Sequence, residues 1–310
     1  MDKHCLSVGK FEEYFQLGDL LGKGTFGMVH QAKVLEKVRA LRIDMPAVVA
    51  VKTMSVIPSS ISQVILEVMA LKQLDIPNVS KYYGCYIQRD APTKIYVVME
   101  LIQGSTLQDL IKTKVVSPTD QRLIPMLWKI AAAIHNMHGH GVTHRDLKPQ
   151  NIMVSVTEDA MEPTIIDFGT VCMDNQYGIG NTGTYCYRYA GSPSYMDPNV
   201  IKTLSEVNLT SWPSYNIMHM YMMSDWWSFA VMLHYLYTEK QILIMDRNAN
   251  KDLIAALKVA SYQLSSTSNL PEPIAEIIIG TLSHQYDIRK RLSGAEILEQ
   301  LKLMLKLKLK

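Results

Sequence analysis

Long apolar runs, paired cysteines and an excess of either charge are what this 310-residue sequence has least of. Its most apolar stretch, DWWSFAVMLHYLY from Asp225, is too short to cross a bilayer and is broken by His234, so a buried core helix is expected there and no membrane span. The four cysteines, Cys5, Cys85, Cys172 and Cys186, form no CxxC pair and no disulfide framework. That predicts no bridge and a reducing, cytoplasmic or otherwise intracellular setting. A redox latch between Cys172 and Cys186 is the disfavoured alternative, because neither stands in a metal or redox spacing. Lys plus Arg number 31 against 29 for Asp plus Glu, which excludes the basic footprint of a nucleic-acid binder. The N-terminus, MDKHCLSVGKFEEYF, carries charges where a signal peptide needs a continuous apolar region, and it reads as mature sequence.

What is present points to two lobes. The chain is long for one core, since single cores stop growing near about 250–300 residues. From Phe11 to Glu100 the pattern is strand-rich, with GMVHQAKVL and AVVAVKTM, and holds one helical stretch, SISQVILEVMALKQL. From Thr106 onward helical patterns dominate, beginning with SPTDQRLIPMLWKIAAAIHNMH, where Ser117 is placed to cap and Pro118 to take the first helical position. Gly104 in LIQGST marks a hinge. The expected class is α+β: a small β-rich N-lobe with one main helix, and a larger, mostly helical C-lobe. The C-terminal LKLMLKLKLK alternates with period two; its five leucines do not share one helical face, so a frayed end is expected, with a membrane-binding strand as the alternative.

Residues 21–29 read LGKGTFGMV, a G-x-G-x-x-G-x-V run between two expected strands and not before a helix, which argues against a dinucleotide fold. Gly22, Gly24 and Gly27 would let backbone N–H groups approach phosphates; taken alone, such a run is more often a plain hairpin. Lys52 ends the strand VAVK, and Glu67 follows on the apolar face of the next helix with Val64, Val68 and Leu71. By itself such a lysine is a snorkelling surface residue; between a glycine hairpin and a helical carboxylate, an ion pair that aims its ammonium is preferred. Further on come THRDLKPQNIM at residues 143–153 and PTIIDFGT at 163–170.

Glycine loop, V-A-x-K, H-R-D-x-x-x-x-N and D-F-G, in that order, make the chain resemble the eukaryotic-type protein kinase family over roughly Phe11 to Leu305. The resemblance implies a lead over residues 1–10 and a kinase domain over 11–310, with N-lobe about 11–99, hinge about 100–105, C-lobe about 106–305 and a short Leu/Lys tail. It implies ATP and Mg²⁺ as cofactors and protein substrates as partners. Asp146 would be the catalytic base, Asn151 and Asp167 the metal ligands, Lys148 the cation at the transferred phosphoryl group, and Lys52 with Glu67 the pair that orients the nucleotide phosphates. ATP would lie against Leu21, Gly22, Lys23, Gly24, Thr25, Phe26, Gly27, Met28, Val29, Ala50 and Lys52, with Met99, Glu100 and Ile102 at the hinge and Met153 below. His144 and Phe168 look structural, and Gln150 fills a loop position. HRDLKPQN and Ser192 in GSPSY resemble the serine/threonine branch. Asp225 resembles the buried aspartate that anchors the catalytic loop.

The sequence also departs from the family. Asp197 and Asn199 in GSPSYMDPN replace the Ala and Glu of A-P-E, so Arg291, which resembles the partner of that Glu, is expected to pair with another carboxylate, Asp197 or Glu206, with a more solvated arginine as the alternative. EVNLTSWPSYNIMHMYMM reads as a surface insertion, or alternatively a docking element, and LEKVRALRIDMP looks extended. Arg145 would grip an activation-loop phosphate in the family, but Arg188 occupies the usual position of that phosphoresidue. Phosphate-free activation is therefore favoured, with Thr182, Thr184 or Tyr189 as the alternative sites. Two rival functions remain: a pseudokinase scaffold, motivated by Asn199 and the insertion, and a kinase fold acting on a small molecule, weakened by GSPSY.

Overall fold

The computed structural model describes residues 5–6, 10–24, 27–39, 45–57, 60–88, 93–174, 186, 189–206, 214–244, 261–262, 269–284 and 287–308. The chain divides into two compact units, Met1–Gln103 and Gly104–Lys310.

In the first unit, β-branched alternation produces the expected strands. They are β1 Cys5–Leu6, β2 Phe15–Gly24, β3 Gly27–Val34, β4 Val48–Ser55, β5 Tyr82–Gln88 and β6 Lys94–Met99, ordered β1-β5-β6-β4-β3-β2 in one sheet. All neighbours are antiparallel except β1, which runs parallel to β5 within the stretch expected to be only a lead. Helix α1, Glu36–Arg39, follows β3, and α2, Ile61–Gln73, follows β4 and carries the apolar face inferred for it, with Val64, Glu67 and Leu71 buried. One face of the sheet is covered by Phe11, Tyr14 and Phe15, which join Tyr86 and Tyr96 in a buried cluster; the Phe11 and Tyr96 rings stack with centroids 3.9 Å apart. Such stacking adds to the burial of two large rings.

The second unit opens with β7 Ser105–Thr106, α3 Leu107–Lys112 and α4 Leu123–Gly139. Helix α4 starts later than expected. Ser117 and Pro118 lie in a turn ahead of it, and Asp120 accepts from the Arg122 N–H at 2.8 Å instead. The reason is Pro125: a helix begun at Pro118 would bury a ring without an N–H in its interior, whereas from Leu123 the proline falls in the first turn, where no intrahelical donor is needed. Strands β8 Val142–Thr143, β9 Ile152–Val156, β10 Met161–Ile165 and β11 Cys172–Met173 form two small sheets, β10-β9-β7 and β11-β8. They are followed by α5 Pro198–Glu206, α6 Ser214–Thr238, a hairpin of β12 Leu243–Ile244 and β13 Ser261–Tyr262, α7 Glu272–Leu282 and α8 Gly294–Lys308.

Three expectations are corrected here. Most of the supposed surface insertion is the first half of α6: Ile217, Met218, Met220 and Tyr221 are buried, because the methionines and aromatics recur at helical spacing. The tail does not fray at its leucines; α8 continues to Lys308, burying Leu301 and Met304 one turn apart while Leu303 and Leu307 stay exposed. Cys172 and Cys186 are joined by a disulfide, their Cα atoms 5.4 Å apart, within the span a bridge requires. Cys85 is disulfide-bonded too. The sequence holds no measure of that approach, and spacing rules alone gave the wrong answer. DWWSFAVMLHYLY lies in α6, buried except for the half-buried Tyr235 and Tyr237, and among the described residues no helix is long and apolar enough to cross a membrane.

Candidate active site

In the first unit, β2 and β3 bring the glycine run into a hairpin with Gly22 opposite Val29, Lys23 opposite Met28 and Gly24 opposite Gly27. Gly27 has φ 155°, and a Cβ there would meet the Thr53 carbonyl at 2.4 Å, so the backbone itself requires this glycine. A Cβ on Gly22 or Gly24 would meet no protein atom within 4 Å, so packing does not explain those two. Open glycine backbone of this kind suits a phosphate-bearing ligand. Thr25 and Phe26 lie outside the described residues, and Leu21 and Met28 are exposed. Across the sheet Val29 pairs with Lys52 and Ala50 with Met99, which lines up four of the expected nucleotide-contacting residues. Lys52 Nζ lies 2.5 Å from Glu67 Oε1, both buried. The snorkelling alternative for Lys52 is thereby excluded: its ammonium is turned inward onto a helical carboxylate. Glu100 donates its backbone N–H to Lys81, and Ile102 is half-buried beside it.

In the second unit, the loop between β8 and β9 is held from beneath by Asp225 on α6. Its fully buried carboxylate accepts the backbone N–H groups of His144 at 2.9 Å and Arg145 at 2.8 Å, and meets His138 Nε2 at 2.9 Å. Thr170 adds a hydroxyl bond to the His144 carbonyl at 2.9 Å. His144 Nε2 meets the Ile166 carbonyl at 3.0 Å, and its ring packs edge-on against Phe168. Two loops are thus fixed to one another by a histidine and a phenylalanine, the structural role inferred for both. Arg145 and Asp167 have φ of 67° and 61°, left-handed values that non-glycine residues adopt only where surrounding structure holds them.

These fixed loops aim a compact set of polar groups. Asp146 Oδ2 accepts from Lys148 Nζ at 2.7 Å and from Asn151 Nδ2 at 3.1 Å, while Asp146 Oδ1 is buried with no hydrogen-bond partner among the described residues. Lys148 Nζ also donates to Ser192 Oγ at 2.7 Å, and Gly191 has φ 110°, where a Cβ would meet the Arg145 carbonyl at 2.4 Å. Asn151 spends its amide nitrogen on Asp146, leaving its carbonyl oxygen as the group for a hard cation. Asp167 is exposed, and Met153 lies on β9 opposite Thr106. No group of three or more His, Cys, Asp or Glu side chains able to hold a metal occurs among the described residues. Mg²⁺ does not need one, since it retains waters and is held by one or two carboxylates together with phosphates.

A protein kinase domain matches residues 15–301. The chain belongs to the protein kinase family. Similar proteins are a calcium/calmodulin-dependent protein kinase type 1 of Macrobrachium nipponense, 31% identical over 64% of this chain and 53% of that protein, and the serine/threonine-protein kinase DCLK3 of Mus musculus, 24% identical over 93% and 32%. A third is the serine/threonine-protein kinase unc-51 of Caenorhabditis elegans, 29% identical over 60% of this chain and 21% of that protein. The kinase domain described here therefore spans about half or less of the length of these relatives.

At the end of the activation segment, Arg291 makes a bidentate pair with Asp197 at 2.6 and 2.9 Å, as one of the two expected substitutes. Thr182, Thr184 and Arg188 lie outside the described residues, and Tyr189 donates its hydroxyl to the Ile201 carbonyl. Sequence reasoning passed over His138, Thr170, Gln108 and Tyr221. Gln108 links Gln150 to Tyr235 through side-chain bonds of 3.1 and 3.3 Å, and the Arg145 guanidinium sits 4.4 Å over the Tyr221 ring. Thr170 directly follows D-F-G, but the other three stand in no spacing motif, and only their proximity to a motif residue in space reveals them.

Proposed function

We propose that this kinase domain is an active serine/threonine protein kinase that transfers the γ-phosphate of ATP to protein hydroxyls with Mg²⁺. The observation that carries this reading is the state of Asp146: one carboxylate oxygen is held by Lys148 and Asn151, and the other, Oδ1, is buried and unpartnered. A buried acceptor without a donor is costly, and a substrate hydroxyl is the donor that would relieve it. Asp146 would orient that hydroxyl and take its proton, a role typically worth roughly 10²–10⁴ in rate. Lys148 would offset the charge of the phosphoryl group in transit. Lys52, held by Glu67, would hold the nucleotide phosphates, and the Gly22 and Gly24 backbone would approach them without a side chain in the way. Asn151 and Asp167 would hold Mg²⁺, which would supply positive charge against that of the nucleotide phosphates. Ser/Thr acceptors are favoured by the contact of Lys148 with Ser192 and by the serine/threonine names of two similar proteins. ATP as donor favours an intracellular setting.

The test is radiolabel transfer from ATP to casein. Wild type is expected to yield phosphoserine and phosphothreonine, and Asp146→Ala none above background. Absence of transfer by a folded, nucleotide-binding wild type would instead favour the scaffold reading, and label appearing only on small molecules the other rival. Asp146→Asn and Asp167→Asn are both expected to abolish transfer, with Mg²⁺-dependent nucleotide binding impaired in Asp167→Asn alone. Equal binding losses would refute the division of roles.

A further inference from the structure

The Cys172–Cys186 bridge lies in the second unit between the catalytic loop and the segment that carries Ser192 and Asp197. Cys172 is on β11, paired with Thr143 of β8, and Thr143 Oγ1 donates to the Cys172 carbonyl at 3.3 Å; Thr143 immediately precedes His144, Arg145 and Asp146. Cys186 accepts at its carbonyl the hydroxyl of Tyr221, whose ring carries the Arg145 guanidinium on its face. Both cysteines are packed with Val200, Ile217, Met218 and Tyr221 in one apolar cluster. The bridge therefore closes a circuit. From β8 it runs through the strand pairing to Cys172 on β11 and covalently to Cys186, from there through Tyr221 to Arg145, the residue beside Asp146.

We propose that this disulfide is a redox-responsive tether, whose oxidised form holds residues 189–197 in the arrangement that Asp146, Lys148 and Ser192 share. The proposal rests on the kinase reading for its effect on transfer. The bridged chain is the one in which Lys148 reaches both Asp146 and Ser192 and Gly191 approaches the Arg145 carbonyl, so the oxidised state is the transfer-competent one. An intracellular disulfide is more often a sensor than a staple. Reduction uses a dithiol: one of its thiolates attacks a bridge sulfur, the Cys172–Cys186 bond breaks, and a mixed disulfide forms. The second thiol resolves that bond. The kinase gains two electrons and two protons as two thiols, and the dithiol leaves as a disulfide. Burial of both sulfur-bearing residues, 1% and 5% exposed, requires local opening before a dithiol can enter, so the reduced state forms slowly.

The full chain is assayed on casein before and after dithiothreitol, with the bridge state read by alkylation and mass spectrometry and hydrogen exchange followed over residues 189–197. Reduction is expected to lower kcat/KM for casein roughly tenfold with KM for ATP within about twofold, and to speed exchange over 189–197. Cys172→Ala/Cys186→Ala should match the reduced wild type and ignore dithiothreitol, which separates this bridge from that of Cys85. Should the double variant not fold, Tyr221→Phe keeps the bridge and the ring but loses the hydroxyl contact, and is expected to show part of the same loss. Full transfer and unchanged exchange in reduced wild type would overturn the proposal, as would a dithiol effect that persists in the double variant, full activity of Tyr221→Phe, or a bridge that survives dithiothreitol in native protein. Exchange that rises on reduction in a chain with no transfer in either state would uphold the tether and refute the kinase reading alone.

Discussion

Arg291 carries a charge with no access to water, so its choice of partner decides whether the site is tolerable. Asp197 supplies both carboxylate oxygens in a planar fork, Trp227 packs under the guanidinium at 4.8 Å, and the His284 carbonyl takes Nε at 3.0 Å. Asn199 contributes only its backbone N–H, which donates to Asp197 Oδ1 and steadies that oxygen. Removing one member of such a pair leaves a buried charge, so Asp197→Ala is expected to lower the unfolding free energy by about 3–5 kcal/mol in urea titrations. Asn199→Glu should leave the melting temperature unchanged or lower it, since a second carboxylate would crowd a satisfied arginine; a rise of several degrees would show that Arg291 lacked a full partner.

At the scale of elements, α6 and α8 show how helices are anchored by a few positions. In α8, Leu301 is fully buried and Leu307 is 68% exposed. Leu301→Ala should therefore cost about 2–5 kcal/mol and Leu307→Ala less than about 0.5 kcal/mol by the same titration, and equal costs would mean that the tail packs differently. In α6, His234 is fully buried, with Nδ1 3.1 Å from the Lys240 carbonyl and 3.3 Å from the Thr238 hydroxyl. Burial holds its pKa below the usual 6.5. The unfolded chain then binds a proton at this position before the folded one does, so its contribution to stability is complete above pH 6.5 and is lost as pH falls below that value towards the depressed folded pKa. His234→Gln should lose less stability than wild type between pH 7 and pH 5, as read by paired denaturant midpoints; identical slopes would remove His234 from the acid response.

Over the whole molecule, the surface groups of the second unit bear on which substrates are selected. Gln150 is tied to Gln108, and the Thr106 side chain both caps Asp109 and donates to its carboxylate. Thr106 and Gln150 stand where the resemblance would put the carboxylates that select arginine, and Asp109, the acid that Thr106 binds, is exposed and already accepts a bond. One exposed carboxylate contributes about 0–1 kcal/mol to an ion pair, too little for strong selection. A peptide array should show no marked preference for arginine three residues before the acceptor, and dominant selection there would refute the inference.

Sequence by itself determined the candidate catalytic groups, because the proposed phosphoryl transfer would demand particular atoms at short chain separations: His144 to Asn151 fit one loop, and Asp167 and Phe168 fit the next. The alternation of β3 and β4 and the apolar face of α2 were legible for a related reason, since strand and helix periods are local. Tertiary structure alone decided what depends on approach between distant segments. Asp197 meets Arg291 across 94 positions, Asp225 meets His144 across 81, and Cys172 and Cys186 become bonded partners where both pack against Ile217, Met218 and Tyr221 of α6. Spacing rules have no access to such distances. A pairing between side chains far apart in sequence is fixed by the fold that carries them.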